Sequence, residues 1–161
     1  MQYAMRRKDR QVSLPGEVEE IMKKCRVCRL GLFDEAGPYI VPLNFGYAVR
    51  EGNYTLYFHS AKEGRKIDAI RQNPRVAFEM DCGAEVYAAD AETPCTYSSC
   101  FESVMGEGRA RLLEGHADKA AALNAIMRQQ TGRTFAFSEA MTGAVAVIAV
   151  EVEWLTAKRH E

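Results

Sequence analysis

Tyr54-Thr-Leu-Tyr-Phe-His-Ser-Ala-Lys-Glu-Gly-Arg-Lys-Ile67 runs from one kind of structure into another. Its first half, Tyr54 to His59, is dense in aromatic and β-branched residues, as a strand requires. Its second half turns at Ala61–Gly64 and continues as a short helix to Arg71, with Ile67 and Ile70 on its buried side. Asn73-Pro74 stops that helix. The junction, His59-Ser-Ala-Lys-Glu-Gly-Arg-Lys66, sets a hydroxyl, three cations and a glycine at the start of a helix. Unpaired N–H groups at a helix N-terminus point outward and favour an anion. Arg65 offers a bidentate fork to phosphate oxygens, Lys62 and Lys66 add point charges, and Ser60 adds a donor. The same run of cations is also the pattern of a solvated face.

Outward from the junction the chain reads mostly as strands. Val27–Phe33, Tyr39–Val49, Val76–Met80, Tyr97–Leu113 and Val145–Leu155 are strand candidates besides Tyr54–His59. Asp34-Glu-Ala-Gly-Pro38 and Arg50-Glu-Gly-Asn53 are turn chemistry. Pro42 marks an edge, a bulge or a bend, and Gly106 and Gly108 suggest a bulge. Residues 82–96 read as a loop. A first helix is expected where Leu14, Val18, Ile21, Met22 and Cys25 recur at helical spacing, with Ser13 as N-cap and Pro15 in the first turn. A last helix covers Ala117–Gln130, with Gly132 as its C-cap. Hairpin-linked strands imply an antiparallel sheet. Six such strands with about three helices favour a small closed barrel, a mainly β (α+β) fold, because closure removes edges.

With 161 residues, 47% apolar and 27% charged, the chain fits one domain over 1–161, residues 1–10 forming a flexible arm. Its net charge of −1 argues against a nucleic-acid binder. The longest apolar stretch, Gly143–Val150, is far short of the roughly 20 residues a bilayer needs. The basic N-terminus lacks an apolar segment after it, so no secretory signal and no membrane anchor are expected. Five cysteines are then expected as reduced thiols in a cytoplasm.

Cys25-Arg-Val-Cys28 has metal- and dithiol-type spacing. A zinc site needs further ligands, best in a second close pair, and a redox pair needs a helix N-terminus. Neither is apparent, so small core residues are the better reading and no metal is expected. His116 and His160 read as solvated. His59 reads either as a hydrogen-bonded strand-end residue or as a group facing a ligand pocket.

Phe58-His-Ser-Ala-Lys-Glu-Gly-Arg-Lys-Ile67 followed by Arg71-Gln-Asn-Pro-Arg-Val76 resembles the strand–turn–helix of the pyridoxamine 5'-phosphate oxidase-like FMN-binding split barrels. Met5-Arg-Arg-Lys-Asp-Arg10, Cys28-Arg-Leu-Gly31, Val41-Pro-Leu-Asn-Phe-Gly46 and Ser103-Val-Met-Gly-Glu-Gly108 resemble the nitroimidazole-resistance (Nim) branch. The resemblance runs in order from about residue 5 to 158. It implies a six-stranded split β-barrel homodimer with FMN at the subunit interface and a small nitroaromatic molecule as substrate.

Carried over residue by residue, Arg65 and Lys66 match the pair that holds the FMN phosphate. His59 and Ser60 match the strand-end pair beside the phosphate and ribityl chain, where the oxidase has tyrosine and threonine. Lys62 belongs to the same junction. Leu43 and Asn44 fall on the strand whose backbone approaches the isoalloxazine ring. Ser103 falls where the oxidase has a cofactor-contacting glutamine. His59 is the candidate catalytic residue, able to supply a proton or orient a ligand. The oxidase's C-terminal substrate motif has no equivalent around Trp154, Arg159 and His160, so pyridoxamine phosphate oxidation is not expected. A haem- or other-ligand-binding barrel without flavin turnover remains the alternative, with His59 as axial ligand.

Overall fold

The computed structural model describes residues 5–161. It contains seven strands: β1 (Gln11–Val12), β2 (Val27–Asp34), β3 (Gly37–Arg50), β4 (Asn53–Ser60), β5 (Arg75–Ala88), β6 (Tyr97–Leu112) and β7 (Ala146–His160). The helices are α1 (Pro15–Lys24), α2 (Arg65–Gln72), α3 (His116–Thr131) and α4 (Glu139–Gly143). Every pairing is antiparallel. The order β7-β4-β3-β2-β5-β6 closes because β6 also pairs with β7, giving the expected six-stranded barrel. One edge of β7 pairs with β4 as far as Glu151 and with β1 from Ala157. Between them that edge carries no strand among the described residues, so the barrel is split there.

The period of two along each strand explains what fills the barrel. Cys28, Leu30 and Leu32 of β2, Leu56 and Phe58 of β4, Val76, Phe78 and Met80 of β5, and Ile148 and Val150 of β7 are buried inside it. Helix α1 adds Val18, Ile21 and Met22 to this core, and α2 adds Ile67, Ala69 and Ile70. On the outer side, α3 lays Ala122, Leu123 and Ile126 over Val147 and Ala149. The start of β7 is therefore buried on both faces, which accounts for its unbroken apolar run. At Gly46 the α3 backbone comes so close that an added Cβ would overlap Ala125 and Ile126. Gly108 adjoins the register shift between β6 and β7, as its glycine pair suggested.

Several local expectations need correction. Ser13 is not the N-cap: Leu14 holds that position without a side-chain bond, and Pro15 opens α1. Leu14 is exposed, because the cap lies outside the helical face that Val18, Ile21 and Met22 share. Residues 82–96 are not all loop. Strand β5 continues to Ala88 through a register break between Cys82 and Glu85, where Gly83 takes a positive φ of 67°. Strand β7 runs on to His160, whose ring meets Arg10 Nη2 at 2.9 Å and the Ser99 carbonyl at 2.7 Å. His160 is thus half-buried, not solvated. Helix α4 went unforeseen; Ser138 caps it by accepting from the Met141 N–H at 3.2 Å.

Of the expected N-terminal arm, residues 1–4 lie outside the described residues, and Lys8–Arg10 form a 3-10 turn. The turn between β3 and β4 puts both Glu51 and Gly52 at positive φ, a type I′ hairpin. Ion pairs from Lys24 (2.6 Å) and Arg159 (2.7 Å) converge on Glu102, tying α1 to β6 and β7. Burial opposes ionisation of Glu102, but these hydrogen bonds outweigh it and hold the carboxyl below its ordinary range. Among the described residues no helix is long and apolar enough to cross a membrane.

Candidate functional site

Strand β4 delivers its last residues to opposite faces. Phe58 and Ser60 point inward and are buried, whereas His59 points outward and is exposed. The imidazole has no hydrogen-bond partner among the described residues. Ser60 Oγ donates to the Ala61 carbonyl at 2.8 Å and keeps its lone pairs. The chain then crosses to Gly64, whose φ of 127° is a conformation that glycine tolerates and side-chain-bearing residues avoid. Gly64 caps α2 through its carbonyl, which accepts from Ile67 N–H (2.9 Å) and Asp68 N–H (3.2 Å). No side chain caps this helix, so the Arg65 and Lys66 amides have no partner within it.

The cations around that terminus differ. Lys62 is exposed and Lys66 half-buried, and neither forms an ion pair among the described residues. Arg65 is engaged. Its Nε donates to Asp34 Oδ2 at 2.7 Å and its Nη2 to Asp34 Oδ1 at 3.1 Å, and its guanidinium lies 4.3 Å from the Tyr39 ring centre. Hydrogen bonding from Arg65 holds the Asp34 carboxyl below its usual range, and Asp34 raises Arg65 in return. Two free amides, two lysines and the unoccupied edge of one guanidinium form a donor set suited to a phosphomonoester, with the Ser60 proton already given to the Ala61 carbonyl.

The other candidates lie elsewhere. The Leu43 side chain packs against the barrel core, so only its backbone can face a ligand. Asn44 Nδ2 donates to the Arg26 carbonyl at 3.1 Å and lies 3.4 Å from Gln130 Oε1, which ties β3 and the α1–β2 connection to α3. Ser103 is remote. Ser60 pairs with Ala146 at the beginning of β7, and Ser103 pairs with Lys158 near its end. That separation is roughly 40 Å of strand at about 3.3 Å per residue. His59, Ser60, Lys62, Arg65 and Lys66 thus follow one another along the β4–α2 junction, His59 and Ser60 on opposite faces of β4, and Ser103 lies apart.

A family model described as pyridoxamine 5'-phosphate oxidase matches residues 15–159. The chain belongs to the pyridoxamine 5'-phosphate oxidase family. Among solved structures it is similar to a protein of Bacteroides thetaiotaomicron assigned by inference to 5-nitroimidazole antibiotic resistance. Identity is 33% over 92% of this chain and 86% of that one, with a TM-score of 0.79. The fold is also shared with the flavocytochrome Anf3 of Azotobacter vinelandii (20% identity, 99% of this chain and 73% of that one, TM-score 0.78). A third neighbour is an FAD- and heme-binding protein of Mycobacterium smegmatis (16% identity, 94% and 74%, TM-score 0.77). No match is found among curated proteins.

This member of the family carries two features that its sequence did not announce. One is the Asp34–Arg65–Tyr39 arrangement; the turn residue Asp34 was legible only as turn chemistry. The other is a cavity of about 150 Å³ beside Ser103, walled by Met105, Trp154, Thr156 and Lys158. The alternation of Trp154, Thr156 and Lys158 along β7 was its one available signal. Cys25 and Cys28 are buried, and desolvation pushes both thiols up, Cys28 to about 12, so neither has the character of a reactive thiolate. Among the described residues no three His, Cys, Asp or Glu side chains gather as a metal-binding group.

Proposed function

We propose that this chain, as a single domain over residues 1–161, is an FMN-binding oxidoreductase of the nitroimidazole-reductase type that acts on a small nitroaromatic molecule. The observation that carries this reading is the phosphate-suited donor set where β4 meets α2. Arg65 and Lys66 hold the phosphate there, assisted by Lys62 and the free α2 amides, and Ser60 joins them by turning its hydroxyl away from the Ala61 carbonyl. The Leu43–Asn44 backbone borders the ring, and His59, exposed and unengaged, faces the substrate and donates a proton from its imidazole. Bound flavin supplies hydride or single-electron transfer, while the protein supplies orientation and electrostatics.

The distance between Ser103 and Ser60 supports a homodimer. A single site using both takes Ser103 from the partner subunit and the α2 terminus from this one. The near-neutral charge supports a small-molecule substrate over nucleic acid. The proposal places the protein in the cytoplasm, where its five cysteines, free in this structure, stay reduced. A haem-binding barrel is the second reading, favoured by the unengaged His59 ring at the strand end.

FMN-loaded protein reduced with dithionite under nitrogen is expected to be reoxidised by a 5-nitroimidazole. The His59→Gln variant should slow that step about a hundredfold, the range of a lost proton donor. Stopped-flow absorbance reads both. No reoxidation would contradict the nitroaromatic substrate, and an unchanged rate in the variant would remove His59 from the chemistry.

A further inference from the structure

The Arg65 side chain is arranged more rigidly than a surface cation needs to be. Asp34 grips its Nε and Nη2 at 2.7 and 3.1 Å, and the Tyr39 ring lies 4.3 Å from the guanidinium carbon. Asp34 is itself fixed. Its Oδ1 accepts the Ala36 N–H at 2.9 Å within the β2–β3 turn, and its side chain is only 14% exposed. The Arg65 side chain, by contrast, is 48% exposed. The grip occupies one edge of a group with five N–H donors, so the Nη1 edge remains available. An exposed ion pair contributes little to stability. An arginine already held in one rotamer, however, loses less conformational freedom when it meets a ligand.

We infer that Asp34 and Tyr39 are positioning residues. They hold Arg65 edge-on so that its free edge meets a phosphomonoester, and they thereby make the site select phosphorylated flavin over its dephosphorylated form. This rests on the reading of the α2 terminus as the phosphate site. The carboxylate does not act as a competitor for Arg65, because both of its oxygens are bonded on the edge the ligand does not use. Tyr39 blocks one face of the guanidinium and limits its swing.

The test titrates FMN and riboflavin in parallel against the wild-type chain, Asp34→Asn, Tyr39→Leu and Glu151→Gln, following flavin fluorescence. Asp34→Asn keeps the shape but loses the charge-assisted pair, so FMN should weaken about tenfold while riboflavin stays unchanged. Tyr39→Leu should move FMN the same way, by about threefold. Glu151→Gln removes the exposed Arg111–Glu151 pair, 3.2 Å long and on another part of the barrel, and should change neither ligand. A parallel loss of both ligands in Asp34→Asn and Tyr39→Leu would mean a structural role and overturn the inference. So would an unchanged or tighter FMN affinity in Asp34→Asn. A wild-type chain that binds no FMN would overturn both this inference and the proposed function, so the wild-type titration separates the two failures.

Discussion

Replacing Arg65 and Lys66 together by alanine is expected to abolish FMN binding at micromolar concentrations. Each side chain offers a charge-assisted hydrogen bond to the phosphate, and such bonds contribute about 1.5–3 kcal/mol apiece. Losing both costs on the order of 3–6 kcal/mol, a hundredfold or more in affinity. The fold should survive. Arg65 is half exposed and its pair with Asp34 is of the surface kind, while the buried side of α2 is made by Ile67, Ala69 and Ile70. The two free amides of α2 stay in place in the variant, so residual weak binding would measure what the helix terminus does alone. Titration by flavin fluorescence, with circular dichroism as the check on folding, decides it. Undiminished affinity in a folded double variant would remove the phosphate from this end of the barrel.

Gly46→Val should be the most destabilising single change on the outer face of the barrel. The α3 backbone at Ala125 and Ile126 occupies the place a Cβ would take. Backbone cannot step aside as a flexible side chain can, so α3 must lift from β3. That loosens Leu123 and Ile126 from Val147 and Ala149. Overpacking of this kind costs about 3 kcal/mol, the upper end of its usual range. For a chain of this length it should lower Tm by roughly 6–12 °C. A thermal melt followed at 222 nm measures it. An unchanged Tm would mean that α3 is not seated on β3 in this way.

The parts of the fold that were legible in the sequence are those fixed by local pattern. Tyr54–Ser60 alternates between core and outside, and its register follows that alternation. Gly132 closes α3 with a φ of 73°, the left-handed cap its position implied. The second half of β5 was illegible for a physical reason. A register break at Cys82–Glu85 interrupts the period, and the residues from Gly83 to Tyr87 are exposed on both faces. The last turn of β7 was hidden similarly: from Thr156 to His160 only Ala157 is fully buried.

At the candidate site, the cations and the glycine at Gly64–Lys66 were readable because the helix start is a local event. The partner of Arg65 was not. Asp34 lies 31 residues away, and the pairing of β2 with β5, the strand that follows α2, brings the β2–β3 turn beside α2. The remoteness of Ser103 was unreadable for the same reason. It depends on which residues of β7 face β4 and which face β6 at a given height. A linear motif does not encode that register.

We propose that the junction of β4 and α2 holds the phosphate of a flavin. Its most direct test is the visible absorption spectrum of the freshly purified protein, followed by that of the supernatant after heat denaturation, with the released chromophore identified by chromatography. A flavin spectrum and released FMN are expected, either as purified or after incubation with FMN and removal of the excess. A sharp Soret band would give the site to haem, with His59 as the ligand to test. A colourless protein that takes up no added FMN would mean that the junction holds no flavin phosphate.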